Sequence, residues 1–361
     1  MSSMMDSICL FELLRYAIGK SDICNKSIGI DWDRIYGYAQ GQGVTALVFD
    51  AIDRSYSSRH PLNIGFKTKM NWIGDVQQME AIYDLHKNII INLAKFYQQC
   101  GIRMMLLKGI GLSYDYPIPN HRPCGDIDIY LYGDLKRGDR LIKEQFGVTI
   151  DTDYHKHTVF ELGGVKIENH YDFANYHKHW SSKRLDKWLK QEAENSYHTN
   201  NNIWLPSPNF NAIFLVRHAA SHFAAEGITI RHLLDWAFFV EKHYNEVDWE
   251  WQWKICKEQN MNQFLLAVNN ICVRYLGFDN LIFRTGGDEN LTERILNDIL
   301  QPEFQEKNPT NVLPYVLSRG KRWWANRWKH RIVYPEGMLT TLFSQISAHL
   351  MKPATLGNNK G

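Results

Sequence analysis

Two aspartates separated by one isoleucine, Asp126 and Asp128 in "GDIDIYLY", carry the most chemistry per residue in this chain. In an extended segment their side chains share a face, while Ile127 and Ile129 point the other way. Two like charges so placed repel, and a cation between them relieves the repulsion. The same Asp-x-Asp spacing occurs at Asp31/Asp33 and Asp151/Asp153. The first flanks a tryptophan at a helix start, where capping accounts for it. The second lies in a polar turn. A third acid follows the strand logic: in "VKIENHYDF", Val165, Ile167 and Tyr171 fall on one face and Lys166, Glu168 and His170 on the other. If this strand pairs with the Asp126 strand, Asp126, Asp128 and Glu168 form an oxygen-rich site suited to Mg²⁺ (or Mn²⁺), which keeps waters and takes phosphate oxygens. The plainer reading is three solvated acids on an exposed sheet face.

These residues need strands to position them, and the chain offers few. The segment before about residue 100 reads as helix. "VQQMEAIYDLHKNIIINLAKFYQQCG" spaces Met79, Ile82, Leu85, Ile89, Leu93 and Phe96 three and four apart, with Gly101 as its stop. "DWDRIYGYAQGQGV" begins on an N-capping Asp and is broken by Gly41 and Gly43. Next come "IRMMLLKG", "DIDIYLY" and "VKIENHYDF", one compact apolar run and two alternating ones, as in one sheet. From about 185 the chain returns to helix, with "PNFNAIFLVRHAASHFAAEG" and "ITIRHLLDWAFFVEKHY" as a packed pair. The expected architecture is α+β: a mixed sheet embedded between N- and C-terminal helical regions. Four parts are expected: a helical region 1–100, a core 101–185 with sheet and metal site, a helical region 186–300, and a basic tail 301–361.

Composition narrows the class. A chain of 361 residues, 44% hydrophobic and 22% charged, has the make-up of a globular protein with room for about two domains. A net charge of +2 excludes a polyanion binder by bulk charge, so any such role has to be local. Cys9, Cys24, Cys100, Cys124, Cys256 and Cys272 form no CxxC pair, which fits a reduced cytoplasmic setting. "CLFELLRYAIG" carries Glu12 and Arg15, so no signal peptide is expected, and no apolar run is long enough for a transmembrane segment.

"LLKGIGLSYDYPIPNHRPCGDIDIYL" has an order of its own: apolar strand, Lys-Gly, short helix, Tyr, Arg, then Asp-x-Asp on a strand. It resembles the uncharacterised bacterial nucleotidyltransferase family, a branch of the polymerase-β-like nucleotidyltransferase superfamily. "IDWDRIYGYAQGQGVTALVFDAI" is similar to the family's N-terminal helical region, "KIENHYDF" to its Glu-bearing strand, and "LVRHAASHFAAEGITIRHLLDWAFF", with His218, His222, Arg231 and Asp235, to its helical segment. About three quarters of the chain is covered in loose form. The resemblance implies a nucleotidyltransferase-type mixed sheet, a nucleoside triphosphate (NTP, ATP among them) as substrate, Mg²⁺, and transfer of a nucleoside monophosphate to an acceptor hydroxyl with release of pyrophosphate. It implies Asp126 and Asp128 as metal ligands and Glu168 as third ligand or general base. Lys108, Gly109 and Gly111 match the turn that receives phosphates. Lys-Gly stands there in place of the superfamily's usual Gly-Ser, and backbone N–H groups with a lysine can serve in its stead.

Arg122, four residues before Asp126, is read either as a phosphate clamp or as the partner of an acid. His170 shares the Glu168 face, as active-site residue or as the group that orients the glutamate. "YHKH" occurs at Tyr154–His157 and again at Tyr176–His179, on either side of the Glu168 strand; zinc is one reading of these histidines, lining of the same cleft a second and polar surface a third. His218 and His222 share a helix face, read as packing, and Arg231 and Asp235 as an intrahelical pair. Arg217 and His222 match the bare spacing of a helical ribonuclease, but positions five apart lie about 140° around a helix and do not converge. The tail "KRWWANRWKHR" has the make-up of a nucleic-acid or anionic-surface contact through residues 319–331, or of a basic helix whose tryptophans close a core. Two alternatives therefore stand beside the transferase: a catalytically degenerate nucleotide- or partner-binding protein, and a binding module led by the tail. The acceptor is open: small molecule, sugar, peptide or protein.

Overall fold

A computed structural model describes residues 2–22, 30–57, 61–302, 321 and 323–351. The chain opens with helices α1 (Ser2–Ala17), α2 (Trp32–Gln42), α3 (Thr45–Tyr56) and α4 (Phe66–Gln99). Asp31 caps α2, its carboxylate accepting the Arg34 N–H at 3.2 Å. Gly43, in the left-handed region at φ 66°, closes that helix, whereas Gly41 stays inside it. The break expected at both glycines falls on the second alone.

Helix α4 is longer than its apolar spacing announced. At 34 residues it runs roughly 50 Å, too far for one core. Trp72 and Val76 pack into a helical core, and Tyr83, Ile89, Ile90, Leu93, Ala94 and Tyr97 into a second core against the sheet. The buried stripe therefore shifts around the helix between the two. Ile82 and Leu85, expected inside, are 36% and 43% exposed because they lie off it.

The sheet is built from β1 (Met105–Leu107), β2 (Ile127–Tyr130), β3 (His157–Leu162), β4 (Val165–His170), β5 (Tyr197–His198) and β6 (Trp204–Leu205), in the order β3-β4-β2-β1-β6-β5. It is mixed: β2 runs parallel to β4 and β1 to β6, while the β1–β2, β3–β4 and β5–β6 pairs are antiparallel. β5 and β6 lie in the stretch expected to be helical. Two-residue strands carry no periodicity to read, and pairing with β1 creates them. α5 (Gly109–Ser113) follows β1, and α6 (Leu135–Phe146) separates β2 from β3.

One sheet face, with Leu106, Ile127, Ile129, Phe160, Val165 and Ile167, packs on the C-terminal half of α4 and on Ile142 of α6. The other face is divided. Its β1 side, with Met105, Leu107 and Tyr130, is covered by Leu185 and Leu189 of α7 (Lys183–Glu192) and by Phe210, Ile213 and Phe214 of α8 (Pro208–Ala225). Its β4 side carries the acids. The expected helical pair is present as α8 and α9 (Ile230–His243), each with an N-terminal cap, at Ser207 and Thr229. α10 (Trp249–Glu258), α11 (Asn262–Leu276) and α12 (Glu289–Leu300) join α1, α3 and α9 in the helical core.

The basic Trp-rich segment is packed where it is described. In α13 (Arg327–Val333), Lys329 is buried with Asp298 at 2.6 Å, and Trp328 lies under the Arg294 guanidinium at 3.8 Å and against the edge of Phe223. Val333 and Tyr334 enter the helical core, and Trp324 stands in solvent. α14 (Met338–Met351) follows. Residues 318–320 and 322 of the tail, and Cys24, lie outside the described residues. The other five cysteines are free thiols. No helix among the described residues is long and apolar enough to cross a membrane.

Candidate active site

β1 ends in a turn that few side chains tolerate. Lys108 has φ 45° and Gly109 φ 47°, so a non-glycine residue is held in the left-handed half of backbone space beside a glycine for which that is ordinary. The turn leads into α5 and leaves Lys108 Nζ 2.9 Å from Asp128 Oδ1, on the neighbouring strand. Register does the rest. Leu107 of β1, Asp128 of β2 and Glu168 of β4 lie in one row across the sheet. Two residues further along, and so on the same face, Tyr130, His170 and His157 form a second row. Asp126, just before β2, completes the group: oxygens of Asp126, Asp128 and Glu168 all lie within 4.8 Å of one another.

Each acid has a different set of neighbours. Asp128 Oδ1 meets His170 Nε2 at 2.8 Å as well as Lys108. Glu168 Oε1 accepts from Lys166 Nζ at 2.7 Å, while Oε2 faces His157 Nδ1 at 3.3 Å and His170 Nε2 at 3.7 Å. The other His170 nitrogen, Nδ1, lies 3.3 Å from the carbonyl oxygen of Asp172.

Charge follows contact. Burial pushes the Glu168 carboxyl up, but His170, His157 and Lys166 outweigh it and hold the group well below the usual range. Burial likewise opposes, and Lys108 and His170 overcome it, in keeping Asp128 low. His170 is raised: burial works against its charge, but Asp128 and Glu168 favour it more, and both ring nitrogens face acceptors. Asp126 is the least supported, since Lys108 favours its anion but is outweighed. Burial first, then repulsion from Asp128 and Glu168, lifts it to about 6. The site as it stands is therefore short of positive charge at Asp126.

Of the residues singled out from sequence, Lys108, Gly109, Asp126, Asp128, Glu168 and His170 come together. Gly111 sits on the core side of α5, where a Cβ would meet the Leu106 carbonyl oxygen at 3.5 Å and Leu205 at 3.6 Å. Arg122 is engaged by an acid. Its guanidinium is closed on Asp235 in a two-bond fork of 2.8 and 2.9 Å, and Tyr116 Oη donates to the same carboxylate at 2.7 Å. The acid-partner reading of Arg122 holds, and the Arg231–Asp235 pair gives way to it. Arg217 donates to the Val333 carbonyl and His222 pairs with Glu226, so the ribonuclease spacing assembles nothing.

Three further residues stand by the acids that the sequence reading named without assigning them to this site: the first YHKH was read as zinc, cleft lining or polar surface, and His218 as packing. His157 is one. Lys156 is the second: burial and the Lys108 ammonium hold it below the usual lysine range, with Glu168, Asp128 and Asp126 opposing. The third is His218, kept neutral by burial and by Lys108. A signal existed for His157 and for His218. Gly163 and Gly164, both at positive φ, make the two-residue hairpin between β3 and β4. Counting back from that turn pairs Leu162 with Val165 and brings His157 opposite His170. On α8, Phe210, Phe214, His218 and His222 follow at intervals of four, so the stripe that starts as core over β1 continues toward the acids.

No curated protein matches the chain. Among solved structures it is similar to an antigenic nucleotidyltransferase-like protein from Paracoccidioides brasiliensis, at 16% identity and a TM-score of 0.30, over 43% of this chain and 75% of that one. A likeness of that degree carries no argument. A family model described as uncharacterised nucleotidyltransferase matches residues 29–277, more than half of the chain and the whole carboxylate group with its lysines and histidines. The chain belongs to this uncharacterised nucleotidyltransferase family.

Proposed function

We propose that the protein transfers a nucleoside monophosphate from an NTP to the hydroxyl of an acceptor and releases pyrophosphate. The observation that carries this is the convergence of Asp126, Asp128 and Glu168 oxygens within 4.8 Å, on one sheet face, in a chain of this family. The donor set is all oxygen, and Asp126 is destabilised as an anion until a cation arrives. These three residues would hold Mg²⁺ (or Mn²⁺). Bound there, the ion would polarise the attacked phosphate and favour ionisation of the acceptor hydroxyl.

Glu168 acts as ligand rather than general base in this reading. A carboxylate held so far below its usual range by His170, His157 and Lys166 has little drive to take a proton. Lys108 and Lys156 supply positive charge toward the triphosphate. Lys108 competes with an ion for Asp128 Oδ1, so it is the group that exchanges a carboxylate for a phosphate oxygen as substrate arrives. Lys156 interacts with the acids through charge alone. The turn at Lys108 and Gly109 would add backbone N–H groups toward the phosphates, with Gly111 letting α5 pack closely on the core.

Thermal-shift screening of NTPs with Mg²⁺ or Mn²⁺, followed by pyrophosphate release with candidate acceptors, tests the reading. Asp126→Asn is expected to abolish the metal-dependent shift and to lower release by about 10²–10⁴-fold, the several kcal/mol a metal contributes to the transition state. A metal-dependent NTP shift that survives Asp126→Asn counts decisively against the site. Metal-dependent binding with no release for any acceptor assigns the degenerate alternative.

A further inference from the structure

His157 is buried, 4% exposed, and neither of its ring nitrogens has a hydrogen-bond partner. Such a group is costly to bury, and native interiors rarely leave one without a reason. Its Nδ1 lies 3.3 Å from Glu168 Oε2 but makes no hydrogen bond to it. The opposite strand presents His170 Nε2 to the same oxygen at 3.7 Å, and donor atoms of His157, Glu168 and His170 all lie within 4.8 Å of one another. Asp128 Oδ1 binds His170 Nε2 at 2.8 Å, so an ion on that nitrogen would displace this bond and release the Nε2 proton to solvent. The second nitrogen of His170 is already turned to a backbone carbonyl, that of Asp172. A metal-bound imidazole is ordinarily oriented this way, through its remote N–H.

We infer that His157, Glu168 and His170 form a second ion site, which shares Glu168 with the three-carboxylate group and takes a divalent first-row transition ion. Two imidazoles and a carboxylate suit Mn²⁺, Zn²⁺ or Co²⁺, whereas Mg²⁺ demands oxygen and dehydrates reluctantly. The two ends of the row are thus chemically unlike: oxygen donors at Asp126, nitrogen donors at His157, with Glu168 between them. Only the use of this ion in nucleotidyl transfer rests on the function proposed above; its binding does not.

Cobalt(II) alone, titrated into the full chain without nucleotide, is the probe. One equivalent is expected to give the visible absorption of a nitrogen-bearing, low-coordinate site. His157→Phe keeps a ring in the buried position and removes no hydrogen bond, and is expected to weaken Co²⁺ binding by about 100-fold or more. Asp126→Asn is expected to leave the absorption in place. In the wild type, spin-echo modulation of bound Mn²⁺ is expected to show coupling to imidazole nitrogen, a readout that stands even if His157→Phe fails to fold. An absorption unchanged in folded His157→Phe, or bound Mn²⁺ without nitrogen coupling, overturns the inference. Neither result touches pyrophosphate release, and failure of release for every NTP leaves these spectra as they are, so the two readings fail separately.

Discussion

Among the described residues, two imidazoles and one glutamate meet twice: His157, His170 and Glu168 on the sheet, and His179, His330 and Glu336 where α13 and the start of α14 fold back on the segment after β4. In the second group the bonds are already made. Glu336 Oε1 accepts from His179 Nδ1 at 2.8 Å and Oε2 from the Ser181 N–H at 2.9 Å. His330 Nε2 is 2.8 Å from Thr341 Oγ1, and the His179 ring lies flat on Tyr334 at 3.7 Å. The neighbouring charge is the buried Arg217 guanidinium, which repels any further cation. Of the three side chains, His330 Nδ1 is a buried atom without a hydrogen-bond partner. On the sheet, both His157 nitrogens lack one, and the neighbours include two more carboxylates. Equal ligand types thus give unlike sites. What separates them is how many ring nitrogens lack a partner and how many carboxylates stand beside them, although Lys108, Lys156 and Lys166 stand among the sheet acids as Arg217 stands beside the helical group. The helical group is a knot that ties the C-terminal helices down, and the strand group is the one proposed above to hold ions.

Substituting one acid in each group gives the widest separation. Asp128→Asn is expected to lower pyrophosphate release by about 10²–10⁴-fold and also to destabilise the fold by about 3–5 kcal/mol, because Lys108 and His170 are left buried without their anion. Glu336→Gln is expected to cost about 1–3 kcal/mol, the loss of charge-assisted bonds to His179 and Ser181, and to leave release at the wild-type level. Urea denaturation beside the release assay reads both. Abolition of release by Glu336→Gln would make the knot part of the site and erase the contrast.

A smaller effect is expected from Arg122. Arg122→Lys keeps the charge on Asp235 but loses the fork, so stability is expected to fall by about 1–3 kcal/mol while the NTP-dependent thermal shift is unchanged. A lost shift at retained stability would restore Arg122 to the phosphates.

Much of the strand group was readable because β-structure has a period of two. Once Asp126, Asp128 and Glu168 fall on alternating segments, one pairing places them together, and the apolar alternates Ile127, Ile129 and Ile167 fix which face they take. His157 was readable too, through the Gly163–Gly164 hairpin, but required counting register across it. The knot was not. His179 and Glu336 are 157 residues apart, and no local pattern links a histidine in a loop to a glutamate between two helices. Arg122 and Asp235, 113 apart, teach the same: the local pairing of Arg231 with Asp235 is outcompeted by a planar fork arriving from a distant loop. The shifted stripe of α4 has a like cause, since two cores and not one helix period decide which residues are buried.

The least disruptive test of the contrast uses pH alone, because the two groups titrate in opposite senses. In the knot, burial holds His330 down to about 4, below the ordinary imidazole value of about 6.5. Between those values the unfolded chain binds more protons than the folded one. The contribution of His330 is therefore complete above about 6.5 and lost as pH falls through about 4. Glu336, pushed down to about 2 by His179 and Ser181 against its burial, adds a loss of the same direction at lower pH. In the strand group Asp126 is raised to about 6, so without an ion its contribution is complete below about 3.9 and lost as pH rises through about 6. An ion needs Asp126 ionised and relieves that loss. The Mg²⁺-dependent thermal shift is thus expected to grow as pH rises through about 6, while fluorescence from Trp328, beside the knot's helix, is expected to report loosening as pH falls from about 6.5 toward 4. Asp126→Asn is expected to flatten the first profile and leave the second, whereas His330→Phe is expected to do the reverse. Parallel profiles, moved together by either substitution, would show that the two groups are one electrostatic unit and not two.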